Sequence, residues 1–162
     1  MKTQIKTIAR IKPIYREYLD EMSQFYEIDN VDSWCDGALK NLQRYSMADD
    51  RYVYILKESD AIIGFALVNQ HLRFNTDGFA VAEFYIQKDH ARKGYGRNLA
   101  EYVFEQFTGI WEIAVTLKNK SALMFWEQVV SSYTDDQFIK KRHASFNGYG
   151  FIFNTANEPK IL

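Results

Sequence analysis

The sequence predicts one mixed α/β domain, and three observations carry that expectation. Segments of strand period recur at 51–57, 61–69, 79–87 and 110–117, each rich in β-branched and aromatic residues. Helical periodicity separates them, most clearly at Leu99, Ala100, Val103, Phe104 and Phe107. Between the third strand and this helix lies a basic, glycine-punctuated loop, Arg92-Lys93-Gly94-Tyr95-Gly96-Arg97. A strand–loop–helix–strand succession of this kind implies a parallel, right-handed crossover.

The elements follow in order. Residues 3–8 read as a short edge strand with Ile5 and Ile8 as its apolar positions. From Pro13, a residue suited to a first helical turn, the spacing of Ile14, Tyr15, Tyr18, Leu19, Met22 and Phe25 predicts a helix to about Glu27. An acidic segment holding Asp29, Asn30, Asp32 and Trp34 comes next, and Asp36 is the expected cap of a second helix through Ala38, Leu39, Leu42 and Tyr45. Strands 51–57 and 61–69 are joined by Glu58-Ser59-Asp60 at hairpin spacing, and a polar loop covers 70–78. In the third strand Ala82, Phe84 and Ile86 share one face, and Val81, Glu83, Tyr85 and Gln87 the other. After strand 110–117, residues 118–121 lead into a helix through Ala122, Phe125, Trp126, Val129 and Val130. The tail reads as a hairpin of 137–143 and 148–153, with Asn147-Gly148 at or near its turn.

At 162 residues the chain can bury a core, and a composition 47% hydrophobic and 25% charged excludes a disordered polymer. A formal net charge of −1 gives no reason to expect nucleic acid or a membrane as partner. Cys35 is the sole cysteine, which excludes an intramolecular disulfide and a cysteine-based zinc site. His71, His90 and His143 show no metal-ligand spacing, so no metal is expected. The first residues lack the apolar run of a signal peptide and no stretch approaches a membrane span, so the expected location is cytoplasmic.

The basic cluster at 92–97 is local, and local charge marks a site. Gly94 and Gly96 are expected to take backbone angles a side chain would forbid. The following helix would aim unpaired N–H groups and its positive dipole end at the loop, and Arg92, Lys93 and Arg97 add full charges there. A phosphate-bearing ligand fits this arrangement. A dinucleotide fingerprint is excluded, because Leu99 stands where its third glycine belongs. A Walker-type loop is excluded too, since Lys93 precedes Gly94 and no Ser or Thr follows.

The order F-Y-I, R-K-G-Y-G-R, helix, strand and N-K-S-A-L-M-F-W resembles the GNAT superfamily of acyl-CoA-dependent N-acetyltransferases, most specifically from Phe79 to Val130. Within it the chain is similar to a subset of small bacterial proteins. The resemblance implies a mixed, mostly antiparallel central sheet with helices on both faces and a splayed parallel strand pair, all within a single domain spanning 1–162. It implies acetyl-CoA as co-substrate. The family's R/Q-x-x-G-x-G/A signature falls on Ala91 to Gly96, which assigns the pyrophosphate to Arg92, Lys93, Gly94, Tyr95, Gly96 and Arg97. Backbone around Phe84, Tyr85 and Ile86 would take the thioester carbonyl and pantetheine arm. The second signature, N-x-x-A-x-x-aromatic-aromatic, falls on Asn119, Ala122, Phe125 and Trp126. Two positions depart from the pattern. Ala91 replaces the usual Arg or Gln, and Trp126 stands where many members carry a proton-donating tyrosine; an indole N–H does not titrate usefully.

Acetyl transfer to a primary amine needs a base, because an alkylamine is almost wholly protonated at neutral pH. Glu83, in an otherwise apolar strand, is the first candidate and Glu112 the second. Tyr85 and Tyr133 are the candidate acids. No Ser or Cys occupies a nucleophile turn, which favours direct attack without an acyl-enzyme. In the superfamily the acceptor meets the first two helices and the C-terminal hairpin, which assigns Tyr26, Asp29 and Trp34 to substrate and suits a cationic amine. The departures at Ala91 and Trp126 sustain an alternative, a catalytically silent CoA- or acyl-CoA-binding sensor or partner module. Edge strands and the aromatic C-terminal hairpin leave a homodimer open.

Overall fold

The computed structural model describes residues 2–156, with side chains from residue 7 onward. Helices α1 (Lys2–Ser23) and α2 (Val31–Arg44) are followed by strands β1 (Arg51–Glu58), β2 (Ala61–Asn69) and β3 (Phe79–Ile86). After a single 3₁₀ turn, Lys88–His90, come α3 (Tyr95–Phe104), β4 (Ile110–Thr116), α4 (Lys120–Thr134), β5 (Ile139–His143) and β6 (Gly148–Asn154). The strands form one mixed sheet in the order β1-β2-β3-β4-β6-β5. β3 and β4 pair in parallel, with Phe79 opposite Trp111 and Val81 opposite Ile113. β4 with β6, and β6 with β5, are antiparallel. The expected crossover is therefore present, with α3 between the two parallel strands.

The chain divides into two compact units, one formed by the residues up to Leu67 with Glu83–Gly96, the other by Val68–Ala82 with residues from Arg97 on. In the first, Ile8, Ile11, Tyr15 and Leu19 of α1 pack with Leu42 and Tyr45 and with Phe65, Leu67 and Tyr85 of the sheet. In the second, Phe104 sits at the centre. Its ring lies 4.8 Å from that of Phe153, 5.1 Å from Tyr133 and 5.5 Å from Trp111. Leu99, Ala100 and Val103 share its buried helix face, as the periodicity requires.

Two sequence expectations fail in the first unit. Residues 3–8 are not a strand but the start of α1, and Pro13 lies inside that helix, not at its first turn. An interior proline costs about 3 kcal/mol. Burying Ile8, Ile11, Ile14, Tyr15 and Leu19 along one helix face offsets it, at roughly 1.5–3 kcal/mol for each large side chain. Second, α2 starts at Val31 and is capped by Asn30, whose side chain accepts the Ser33 N–H at 2.9 Å. Asp32 in the first turn suits the helix dipole, and Asp36 lies within the helix.

In the second unit the tail hairpin forms as expected, with Asn147 in the turn and Gly148 opening β6. Gly150 of β6 is required by packing: a Cβ there would stand 2.2 Å from the Phe74 ring, which lies against the strand. β5 is the outer strand of the sheet, and the side chains from Ile139 to Arg142 are exposed. Loss of the α2 cap gives a direct check. Asn30→Ala should lower unfolding free energy by about 1 kcal/mol in urea titrations, whereas Asp36→Ala should be near neutral.

Candidate active site

Strand alternation places Glu83 between Val81 and Tyr85, both buried. It therefore faces the aromatic core of the first unit. Tyr15 hydrogen-bonds its carboxylate, and the second oxygen, Oε2, is sealed from solvent with no hydrogen-bond partner. Burial pushes the Glu83 carboxyl up to about 7, partly opposed by the Tyr15 hydrogen bond. The effect is mutual: burial, then the Glu83 charge, raises the Tyr15 and Tyr18 hydroxyls well above their ordinary values. Tyr85, two residues on, donates to Glu21 at 3.4 Å, and burial followed by Glu21 and Glu17 raises its hydroxyl too. Such a phenol holds its proton and is a weak acid. Phe84 and Ile86, on the opposite strand face, are half-buried.

The basic loop leaves β3 through the 3₁₀ turn. Arg92 has φ +60° and Gly94 φ +84°, so the backbone enters the left-handed region twice within three residues. A Cβ on Gly94 would touch nothing, so glycine serves this position through its φ, not through space. Gly96 differs from expectation: it lies in the first turn of α3 and its φ is not positive. Arg92 and Lys93 are exposed beside this helix start. Positive-φ residues ahead of a helix start are the backbone element from which anion-binding nests are built. The Glu58 carboxylate brackets the loop. It accepts a hydrogen bond from the Tyr95 hydroxyl and another from His90 Nε2 at 2.9 Å. These bonds, the Tyr95 one foremost, lower the Glu58 carboxyl below its ordinary value.

In the second unit Glu112 is 2% exposed and fully engaged. It accepts the backbone N–H of Arg73 at 2.8 Å, that of Phe74 at 3.1 and 3.2 Å on its two oxygens, and Asn75 Nδ2 at 2.7 Å. Its carboxylate pins loop 70–78 to β4. Asn119 caps α4, its side-chain oxygen accepting the Ala122 N–H at 3.0 Å. The N-x-x-A spacing thus has a local cause, an N-cap and its third helical residue. Trp126 is buried, meeting Phe125 edge-on at 4.9 Å and Phe104 at 6.4 Å. Tyr133 packs between Phe104 and Phe153, and burial, with Glu105 and Glu101, raises its hydroxyl. Arg97 is exposed and donates to Ser132 Oγ at 3.3 Å.

Of the residues assigned to an acceptor, Tyr26 and Trp34 meet with ring centroids 6.4 Å apart, and Asp29 is exposed. Trp34 also lines a cavity of about 550 Å³ in the first unit, together with Arg16, Leu19, Asp20, Asp32 and Asp36. Three carboxylates beside Trp34 and Leu19 suit a cation with an apolar stem, and Arg16 offsets part of their charge.

The GNAT acetyltransferase family model matches residues 11–130. The chain belongs to the GNAT acetyltransferase family. Solved structures agree on the fold. A PaiA N-acetyltransferase from Thermoplasma acidophilum, solved with coenzyme A, superposes with a TM-score of 0.66 at 13% identity, covering 93% of this chain and 94% of that one. An acetyltransferase from Thermus thermophilus gives 0.61 at 13% identity over 94% and 89%. The ribosomal-protein-S18-alanine N-acetyltransferase of Escherichia coli gives 0.55 at 13% identity over 76% and 81%. No curated protein matches the sequence.

Sequence reasoning missed the parts that three residues of this GNAT chain play. Tyr15 reads as one more apolar helix position, and nothing in its spacing announces the bond to Glu83. Glu58 reads as a hairpin-turn residue and His90 as a solvated loop residue; only the fold joins them to Tyr95.

The two glutamates should respond oppositely to amide substitution. All of Glu112's partners are donors, so Glu112→Gln sets an NH₂ against an N–H and should cost about 2–3 kcal/mol in denaturant unfolding. Glu83 has a folded pKa raised from 4.5 to about 7, so the unfolded chain releases this proton first as pH rises. Stability from this group is greatest below 4.5 and is lost as pH climbs to about 7. Glu83→Gln should therefore raise the unfolding free energy at pH 8, by about 1–3 kcal/mol, and leave it unchanged at pH 4.

Proposed function

We propose that this protein transfers an acetyl group from acetyl-CoA to a primary amine, with Glu83 as general base and the whole chain acting as one acetyltransferase domain. The observation that carries the reading is the Glu83 carboxylate, sealed and unpaired at one oxygen and with its pKa brought near neutrality. A base for an ammonium substrate is most effective when its pKa lies near the working pH.

The positive-φ backbone at Arg92–Gly94 and the start of α3 supply backbone donors for the pyrophosphate, with Arg92, Lys93 and Arg97 in place of the cation absent at Ala91. Tyr95 and Gly96 form the first helical turn above it. Backbone N–H groups around Phe84, Tyr85 and Ile86 take the thioester carbonyl and stabilise the oxyanion. Asn119 acts by building the α4 N-terminus with Ala122, and we assign pantetheine contact to that turn, followed by Phe125 and Trp126. Glu83 takes a proton from the substrate ammonium. The neutral nitrogen attacks the thioester carbon, the C–S bond breaks, and the leaving thiolate takes up the second amine proton. Glu112 is spent on the 70–78 loop and is not given the base role, and Tyr85 is spent on Glu21 and is not given the acid role. Tyr26, Asp29 and Trp34, with the adjoining cavity, favour a cationic acceptor with an apolar stem. The structural relatives lend support, since one was solved with coenzyme A bound.

Burial of Trp126, at the position where many relatives carry an acid, favours a second reading as a CoA-binding module without turnover. Titration calorimetry with acetyl-CoA and thiol release over a panel of amines separate the two. Binding with turnover is expected. Binding without turnover selects the module, and no binding at high micromolar acetyl-CoA defeats both. In the active case kcat/KM should rise with pH through a midpoint near 7, and Glu83→Gln should lower kcat by roughly 10²-fold or more and flatten that profile.

A further inference from the structure

We propose that Glu58, at the end of β1, is the positioning residue of the phosphate loop, holding it in its ligand-ready shape before acetyl-CoA arrives. The inference rests on the acetyl-CoA reading above and adds a residue that the family signature does not contain. Its basis is geometric. The loop from Ala91 to Gly94 is exposed, and Arg92 and Gly94 both hold positive φ. Left to itself a short loop with a non-glycine residue at φ +60° relaxes toward ordinary angles. Glu58 opposes this from outside the loop by bonding one residue on either side of it. His90 Nε2 meets Glu58 Oε2 at 2.9 Å, and the Tyr95 hydroxyl donates to Glu58 Oε1. One carboxylate thus spans the segment from both ends, and its two oxygens have separate tasks.

The arrangement also fixes what each partner does. His90 Nε2 carries the proton shared with the carboxylate, and Nδ1 is shielded from solvent without a partner. His90 is therefore turned away from any anion in the loop and acts through Glu58. Tyr95 is half-buried at the first position of α3, so its bond sets the direction in which the helix leaves the loop. Placing an anion beside a phosphate site is unfavourable by itself. The negative charge is tolerable here because Tyr95, His90 and the nearby Lys93 take it up. Glu58 is a positioning group: it touches the loop's flanks, and the loop touches the ligand.

The test compares donors with and without the pyrophosphate, using the full chain. Calorimetric Kd for acetyl-CoA and steady-state constants for acetyl-CoA and S-acetylpantetheine are measured for the wild type, Glu58→Ala and Glu58→Gln, with thermal unfolding as a check on folding. Glu58→Ala is expected to weaken acetyl-CoA binding about tenfold, the loss of one to two hydrogen bonds, with kcat nearly unchanged. The preference for acetyl-CoA over S-acetylpantetheine in kcat/KM should fall by the same factor. Glu58→Gln keeps an acceptor for Tyr95 but sets an NH₂ against the His90 Nε2–H, so it should recover only the part of the affinity that the Tyr95 bond supplies. Tyr95→Phe, which removes only one of the two bonds, should weaken acetyl-CoA binding less than Glu58→Ala does. Unchanged or tighter acetyl-CoA binding in Glu58→Ala would overturn the proposal, as would an equal loss for both donors. A wild type that fails to bind acetyl-CoA defeats the functional reading itself, a result distinguishable from every variant outcome.

Discussion

The alternation of a single strand constrains most of what this protein can do. β3 must bury Val81 and Tyr85 to complete its packing, and the residue between them has no choice but to enter the same apolar layer. That residue is Glu83. Its charge is costly there, and the molecule answers with one hydrogen bond, from Tyr15, instead of the several that a structural carboxylate collects. The contrast with Glu112 is instructive. Glu112 is buried as a fully satisfied hub for backbone N–H groups, and its role is to hold a loop. An under-satisfied carboxylate stores unfavourable energy in the folded state, which natural folds retain chiefly where chemistry requires it.

The strands, the crossover and the buried face of α3 were legible because they rest on local period and on burial of one face. The hairpin ending the chain followed from Asn147-Gly148. Failures occurred where tertiary packing outweighed local rules. Pro13 marks a helix start by its own chemistry, yet the row of Ile8, Ile11 and Ile14 continues the helix through it. Asp36 looked like a cap since it precedes an apolar run, while Asn30, earlier in the chain, actually receives the first turn's N–H.

Legibility of the site divides along the same line. The positive-φ glycine, its basic neighbours and the N-x-x-A cap are properties of consecutive residues and can be read directly. Glu83 stands out in the sequence by its isolation in an apolar strand. What Glu112 does was hidden, because its partners are backbone N–H groups of a loop remote in sequence. Glu58 was hidden for a similar reason: its two contacts lie 32 and 37 residues away. Hydrogen bonds across such separations leave no periodic trace.

The outer strand β5 carries a consequence for how copies of the chain meet. Its exposed run, Ile139-Lys140-Lys141-Arg142, lies where a sheet edge would otherwise recruit another strand. Lys140 is held by Glu127 and rests over Tyr149, and Arg142 is held by Asn147, so these cations are fixed along the edge. Two such edges brought together antiparallel would set cation against cation at Lys140, Lys141 and Arg142. Like charge opposes pairing at the β5 edge, and that opposition weakens as added salt screens it.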